Sequence, residues 1–214
     1  MGTIKQGVFG GFSGGVGNVV GGSWKGISYM RIIPAKISNP RTDRQKDQRE
    51  RFALTMRFLK PLSQFLKIGF KNYAIAMTAI NAAMAYNFHN AIDGIYPNCT
   101  INFEKVLLSC GILPPAFSPT VQSIISGIVQ FSWVDNSDEI GANSLDKTML
   151  VVYNVPRNQG LCIINKGDRG TTSQTVTVPT SFLGQEVQCY IAFISNDEIE
   201  LSNSIYVGAV TVFD

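Results

Sequence analysis

The chain has 214 residues, of which 45% are hydrophobic, and its formal net charge at pH 7 is +3. This length and apolar content exclude an intrinsically disordered chain and allow one large domain or two small ones. The charge is unevenly distributed, because residues 1–71 carry 13 Lys and Arg against 3 Asp and Glu, whereas residues 72–214 carry 5 against 12. This asymmetry predicts a basic contact surface joined to an acidic domain.

No targeting or membrane segment is predicted. The first lysine is not followed by the apolar stretch of a secretory signal peptide. The longest apolar run, at 73–88, is interrupted by Asn81 and Asn87 and is too short and too polar to span a bilayer. We therefore expect a protein of the cytoplasm or of a virion-like particle that has no membrane partner. The cysteines lack metal-binding spacing, which predicts free thiols and leaves a Cys162–Cys189 bridge open.

The N-terminal segment, 1–38, is rich in glycine, which occupies ten of the first 26 positions. It fits neither a dinucleotide fingerprint nor a Walker loop, since the preceding strand, the distant acidic residue and the G-K-[ST] triplet are all missing. Large apolar residues stand between the glycines, unlike in a flexible linker. Glycine in such β-prone sequence marks bends or close approach of another backbone. We predict short strands over 5–33, most clearly at 27–33, which dock on the protein or on a partner through Phe9, Phe12 and Trp24.

Residues 39–92 are predicted to be helical. A capping box of Thr42 and Gln45 begins the first helix, which ends before Pro61. A second helix follows, and an alanine-rich third helix covers 74–92. The residues predicted to face the protein interior are Phe52, Met56 and Leu59 on the first helix, and Ile75, Ala79, Ala83 and Met84 on the third.

The first helix, 42–60, is basic around most of its circumference. A solvated, salt-bridged helix is one explanation, because Asp47 and Arg51 stand at i and i+4. The concentration of positive charge favours an anionic partner instead. The residues predicted to contact nucleic acid or another polyanion are Arg41, Arg44, Lys46, Arg49, Arg51 and Arg57.

No catalytic residue, cofactor or metal site is predicted, and we expect a protein that is not an enzyme. The single histidine, His89, lies near the end of a predicted helix, where capping or packing is the ordinary role. The acidic run at 135–139 lacks the spacing of a calcium loop.

The C-terminal region is predicted to form an antiparallel β-sandwich. The predicted strands are 127–134, 148–155, 161–165, 173–178, 186–195 and 204–213. The order of Trp133, Tyr190 and the Ser-Asn-Ser at 202–204 resembles a fibronectin type III module. That resemblance implies that Trp133 is a core residue and Tyr190 a corner residue, and the segment 114–119 looks like a linker.

The predicted fold class is therefore α+β, with two domains. Residues 1–113 hold the glycine-rich β segment and the basic helices, and residues 114–214 hold a sandwich of fibronectin III or immunoglobulin type.

A second resemblance covers the whole chain. The order SG-x-x-G at 13–17, R-x-x-P at 31–34 and NPRT-x-x-Q at 39–45 is similar to an uncharacterised Bacteroidetes family of about this length. It also resembles small structural-type proteins encoded in phage and prophage clusters. A lysine often follows the first Ser-Gly in that pattern, whereas this chain has Gly15. The family carries no established activity, so the resemblance implies a relative and not a function.

Three functions remain open from the sequence. The first is a structural or assembly protein whose glycine-rich arm docks on another copy or on another protein subunit. The second is a nucleic-acid-binding protein that uses the basic helix, and the third is a surface adhesion or carbohydrate-binding module. The first accounts best for the apolar residues among the glycines, which phosphate binding does not require.

Overall fold

A computed structural model of the chain describes residues 3–4, 11–35 and 41–214. The chain divides into two compact units, Met1–Thr42 and Asp43–Asp214. The structure thus groups the helices with the C-terminal β-sandwich, whereas the predicted division at 113/114 grouped them with the glycine-rich segment. The predicted α+β fold class is confirmed.

The first unit contains a four-stranded antiparallel sheet, here called the arm sheet, in the strand order β1-β2-β3-β4. Its strands are Thr3–Ile4 (β1), Phe12–Val16 (β2), Val19–Trp24 (β3) and Ile27–Ile32 (β4). The predicted strand at 27–33 is therefore confirmed as β4.

The second unit begins with three α-helices, Asp43–Leu59 (α1), Ser63–Gly69 (α2) and Ala79–Asn90 (α3). Pro61 lies in a short 3-10 turn between α1 and α2, because proline cannot donate the hydrogen bond that a helix interior needs. The α3 helix begins after Thr78, whose hydroxyl accepts a hydrogen bond from the backbone N–H of Asn81 at 3.2 Å.

The buried face of α1 is the predicted one only in part. Leu59 is buried as predicted, together with Thr55 and Phe58, whereas Phe52 and Met56 are exposed. The apolar positions of this helix allow two overlapping faces, and the tertiary contact selects between them. Phe58 settles the choice, since its ring packs edge-on against Tyr153 with the ring centroids 4.8 Å apart.

The face predicted for the third helix is partly right. Ala83 and Met84 are buried, and Ala79 packs against the same hydrophobic cluster. Ile75 precedes the observed helix and is 80% exposed, so its predicted packing role is wrong.

The remaining strands form a small pair and a β-sandwich. The pair is Ile92–Asp93 (β5) with Thr100–Ile101 (β6). The sandwich has a three-stranded sheet in the order β11-β8-β7 and a four-stranded sheet in the order β10-β9-β12-β13, both antiparallel. Its strands are Phe117–Gln122 (β7), Ile128–Val134 (β8), Lys147–Asn154 (β9), Gln159–Asp168 (β10), Ser173–Thr177 (β11), Glu186–Ile194 (β12) and Ile205–Thr211 (β13).

The predicted linker at 114–119 is wrong in its second half, because that half belongs to β7. This strand pairs with β8 and contains Pro119. An edge strand can hold a proline, since one of its sides has no ladder bonds to lose. The register of the pair shifts between Phe117 and Thr120, on either side of the proline.

The four-stranded sheet is covered on both faces. Successive side chains along each strand point to opposite faces of the sheet. Those on one face, such as Val151, pack against the helices, and those on the other, such as Leu150 and Val152, pack against the three-stranded sheet. Every residue of β9 after Lys147 and of β12 after Glu186 is buried. This double burial explains why both strands are almost continuously apolar instead of alternating with polar residues.

Trp133 occupies the sandwich core, as the fibronectin resemblance implies, and its indole N–H donates to the carbonyl of Arg169 at 2.7 Å. Tyr190 is not a corner residue. It lies on the helix-facing side of β12, and its hydroxyl donates to the carbonyl of Phe103 at 2.9 Å. The alternation of side chains along β12 places it there, opposite in direction to Ile191.

A buried cation joins the loops at one end of the sandwich. The Arg169 side chain is fully buried and donates to the Asp146 carboxylate at 3.1 Å, to the Asn136 side-chain oxygen at 2.7 Å and to the Pro114 carbonyl at 2.8 Å. Its guanidinium lies 4.0 Å from the ring centroid of Phe193. Burial lowers the pKa of Arg169, and the neighbouring Asp146 carboxylate opposes that effect.

Candidate interaction surfaces

The arm sheet is built from two tight hairpins. The β3–β4 hairpin turns at Lys25 and Gly26, which have φ angles of 48° and 83°. Two positive φ values are typical of the type I′ turn, whose twist matches that of paired strands. The β2–β3 hairpin turns at Gly17 and Asn18, and Gly17 also has a positive φ.

Two glycines of β3 allow close approach of neighbouring groups. A Cβ atom on Gly21 would lie 2.1 Å from the carbonyl oxygen of Phe12, and one on Gly22 would lie 2.9 Å from the Tyr29 ring. Aromatic side chains that cover cross-strand glycines are a known way of stabilising such strands. Phe12, a predicted interaction residue, therefore packs on its own sheet and is half-buried.

The arm sheet has almost no interior within residues 11–35, where Gly21 is the one buried residue. All six residues of β4 are exposed, including Ile27 at 65%, Met30 at 66% and Ile32 at 73%. Burying such side chains is the ordinary source of stability for a sheet, so their exposure makes β4 a candidate interaction surface.

We call this surface the β4 surface and define it by its large exposed side chains, Trp24, Ile27, Tyr29, Met30 and Ile32. Trp24 was among the predicted interaction residues, and the structure places it next to Ile27 across the hairpin. The prediction for Phe9 lies outside the described residues. The other four side chains were not predicted to be interaction residues. The sequence does contain a signal for them, because the predicted strand at 27–33 carries large apolar residues on both of its faces.

The predicted polyanion-binding residues do not form one open stripe. Arg51 donates to the Asp47 carboxylate at 2.9 Å and to the backbone carbonyls of Ile92 and Gly94. Asp47 also accepts from the backbone N–H of Tyr96 at 2.9 Å. This contact with the Tyr96 N–H is the main reason that the pKa of Asp47 is lowered, and Arg51 lowers it further. Arg51 and Asp47 thus fasten α1 to the loop after α3.

The other five predicted basic residues differ in their surroundings. Lys46 pairs with Asp43 at 2.9 Å, and this hydrogen bond raises the pKa of Lys46. Arg44 and Arg57 are exposed on α1, and Arg49 is exposed as well. Arg41 precedes this helix in the sequence, is exposed and has a φ angle of 52°. The structure therefore leaves an interrupted basic surface on this helix.

The sandwich end beside Arg169 holds a polar cleft of about 540 Å³, lined in part by Asp146, Ser195, Asp197 and Glu200. Ser195 and Asp197 bond to each other, and this bond lowers the pKa of Asp197. No histidine lines the cleft, since His89 lies in the last turn of α3, exposed and edge-on to the Phe88 ring. Within the same turn, the Asp197 carboxylate accepts from the backbone N–H of Ile199 and the Ser195 hydroxyl accepts from that of Glu200.

Neither a metal cluster nor a disulfide is found in the part of the chain that the structure describes. No group of three or more His, Cys, Asp and Glu side chains there is arranged to hold a metal ion. All four cysteines are free thiols, as predicted, and burial raises the pKa of Cys162 to about 11 and that of Cys189 to about 12. Of the described helices, none has the length and apolar character needed to cross a bilayer.

Comparison with known proteins places the chain in a family. The chain is similar to a solved fibronectin type III domain of human collagen alpha-1(XX) chain, with 12% identity, a TM-score of 0.37, and coverage of 48% of this chain and 88% of that one. No curated protein matches the sequence. A family model described as "Family of unknown function (DUF6266)" matches residues 11–208, and the chain therefore belongs to that family.

Proposed function

We propose that this protein is a non-enzymatic structural component of an assembly, and that its arm sheet docks on a neighbouring subunit through the β4 surface. The observation that carries this proposal is the exposure of every residue of β4, among them Ile27, Met30 and Ile32. A surface of this kind, on a sheet in which Gly21 is the one buried residue among 11–35, is stabilised when a partner covers it.

The geometry of β4 supports docking in a second way. Among the described strands, β4 pairs only with β3 and stands at the end of the arm sheet. An edge strand presents unpaired backbone N–H and C=O groups to which another strand can be added. Main-chain pairing and apolar burial are therefore available at the same place.

The setting that we propose is a particle of phage or prophage type. This part of the proposal extends the resemblance of the SG-x-x-G and NPRT-x-x-Q pattern, at 13–17 and 39–45, to structural-type proteins of such clusters.

Nucleic-acid binding by α1 is the second candidate. The exposed Arg44 and Arg57 favour it, while the intramolecular bonds of Lys46 and Arg51 reduce the number of cations that can contact phosphate. Surface adhesion or carbohydrate binding stays a prediction that no contact described above favours.

The proposal is tested with two full-length double variants that make the same chemical change. One carries Ile27→Lys and Ile32→Lys in β4, and the control carries Ile124→Lys and Ile140→Lys, which replace exposed isoleucines of the sandwich loops. Light scattering or sedimentation equilibrium over about 1 to 100 μM measures the mass of each, because association depends on protomer concentration.

We expect the unmodified chain and the control to assemble alike. We expect the β4 variant to dissociate at least about tenfold more readily, which is about 1.4 kcal/mol. A chain that is monomeric throughout this range, or an assembly that the β4 variant forms as readily as the control, would contradict the proposal.

A further inference from the structure

We infer that the neighbouring subunit is a second copy of this chain. In this inference the β4 strands of the two copies pair antiparallel with Met30 opposite Met30, so that the two arm sheets become one continuous sheet. The inference rests on the proposed function, and it adds the identity of the partner and the register of the contact.

The hydrogen-bonding phase of β4 is fixed by its pairing with β3. The backbone N–H of Ile33 donates to the carbonyl of Asn18 at 2.7 Å. In an antiparallel pair the N–H and C=O of one residue point to the same side, and the side alternates along the strand. The backbone groups of 27, 29, 31 and 33 therefore point toward β3, and those of Ser28, Met30 and Ile32 point toward the open edge.

A two-fold axis at Met30 makes the open edge complementary to itself. It sets Met30 opposite Met30 and Ser28 opposite Ile32, the three residues whose backbone groups are directed outward. Residues that face each other across an antiparallel pair lie on the same side of the sheet. This requirement is met, because Ser28, Met30 and Ile32 share one face of β4.

The side chains of the other face also match in this register. Ile27 of one copy lies opposite Ile33 of the second, which joins two apolar side chains. Tyr29 lies opposite Arg31, an arrangement in which a guanidinium can stack on an aromatic ring. Each of these pairs occurs twice because of the symmetry, and the only charged side chain of the strand never faces its own copy.

The neighbouring symmetric registers are worse. An axis at Arg31 sets two arginines directly opposite each other, which is destabilising. An axis at Tyr29 sets Ile33 opposite Lys25 and Ile32 opposite Gly26, both of which belong to the turn of the hairpin. Of these positions of the two-fold axis, the one at Met30 pairs all of residues 27–33 of one copy with the same residues of the other.

The edge has few of the features that prevent association. Natural edge strands are protected by proline, by a bulge or by charged side chains, above all lysine. The segment 27–33 contains neither proline nor lysine, its one charged side chain is Arg31, and its register with β3 is regular from Ile27 to Ile32. Pro34 follows directly and ends the segment that can pair.

Disulfide trapping between full-length chains tests the register. In the proposed pairing Ile27 and Ile33 form a non-hydrogen-bonded pair with Cα atoms about 4.5 Å apart, within the limit of about 7 Å for a disulfide. Two copies of position 27 lie about 20 Å apart, since six residues along a strand separate them. We therefore compare Ile27→Cys alone, Ile33→Cys alone and an equimolar mixture of the two under mild oxidation. The unmodified chain controls for the native thiols.

We expect a covalent dimer in the mixture and only the background of the unmodified chain in either variant alone. The pair Tyr29→Cys and Arg31→Cys repeats the test with the other matched positions, in case one substitution disturbs the strand. Equal trapping in a single variant and in the mixture, or no trapping while light scattering still shows a dimer that depends on β4, would overturn this register and leave the proposed function standing. A full-length chain that stays monomeric would overturn both.

Discussion

Replacement of the buried Arg169 by methionine should strongly destabilise the second unit. The guanidinium donates three hydrogen bonds, to Asp146, Asn136 and the Pro114 carbonyl, and the whole side chain is excluded from solvent. Methionine fills part of the volume but removes the cation that pairs with the buried Asp146 carboxylate, which keeps a hydrogen bond from the Asn143 N–H at 2.9 Å. It also removes the donor that Arg169 supplies to the Asn136 side-chain oxygen and to the Pro114 carbonyl. Removal of one partner of a buried ion pair costs about 3 to 5 kcal/mol.

The loss is measured by urea unfolding of full-length variants. The matched control is Arg157→Met, because Arg157 has an exposed side chain in the turn between β9 and β10 and should change the free energy of unfolding by less than about 0.5 kcal/mol. Adding Asp146→Asn to Arg169→Met should recover part of the loss, since a neutral amide costs less to bury than a carboxylate. A loss below about 1 kcal/mol for Arg169→Met would refute the reasoning.

Three further predictions follow from single positions. Gly21→Ala should open the arm sheet, because the new Cβ atom would lie 2.1 Å from the carbonyl oxygen of Phe12. Gly15→Ala should be tolerated, because its Cβ atom would have no neighbour within 4 Å. Amide hydrogen exchange in the arm sheet should be faster in the Gly21 variant and unchanged in the Gly15 variant. Gly111→Ala would place a Cβ 1.9 Å from the carbonyl oxygen of Leu201 and should lower the free energy of unfolding by about 1 to 3 kcal/mol in urea. The pKa of Asp47 is lowered in the folded chain, so its stabilising effect is full above the unfolded pKa of about 3.9 and is lost as the pH falls through the folded value. Asp47→Asn should therefore reduce the loss of stability between neutral pH and about pH 3, and an unchanged pH profile would contradict this.

The strands of the sandwich could be predicted from the sequence because a turn-rich segment separates each apolar run from the next. All six predicted strands are present, and the double burial of β9 and β12 accounts for the apolar runs in these two strands. The remaining strand, β7, was not predicted, because a segment that contains proline resembles a linker. Only its position at the edge of the three-stranded sheet shows that the proline can be accommodated in a strand.

The candidate site was less readable because exposure and pairing depend on distant parts of the chain. Trp24 was predicted to be an interaction residue, but the exposure of Met30 depends on what packs against β4, which the sequence of the strand does not reveal. Arg51 read as a phosphate contact, whereas it donates to carbonyls about forty residues further along the chain. Local charge patterns do not record such contacts.

The most direct test of the account is the mass of the full-length protein in solution at about 50 and about 500 mM salt, with the absorbance of any bound nucleic acid recorded alongside. We predict an assembly that persists at high salt, because apolar burial and strand pairing at β4 are screened little by ions. A monomer at both salt concentrations would contradict the account. Nucleic acid bound at low salt and released at high salt, without protein assembly, would transfer the main role to the basic helix α1.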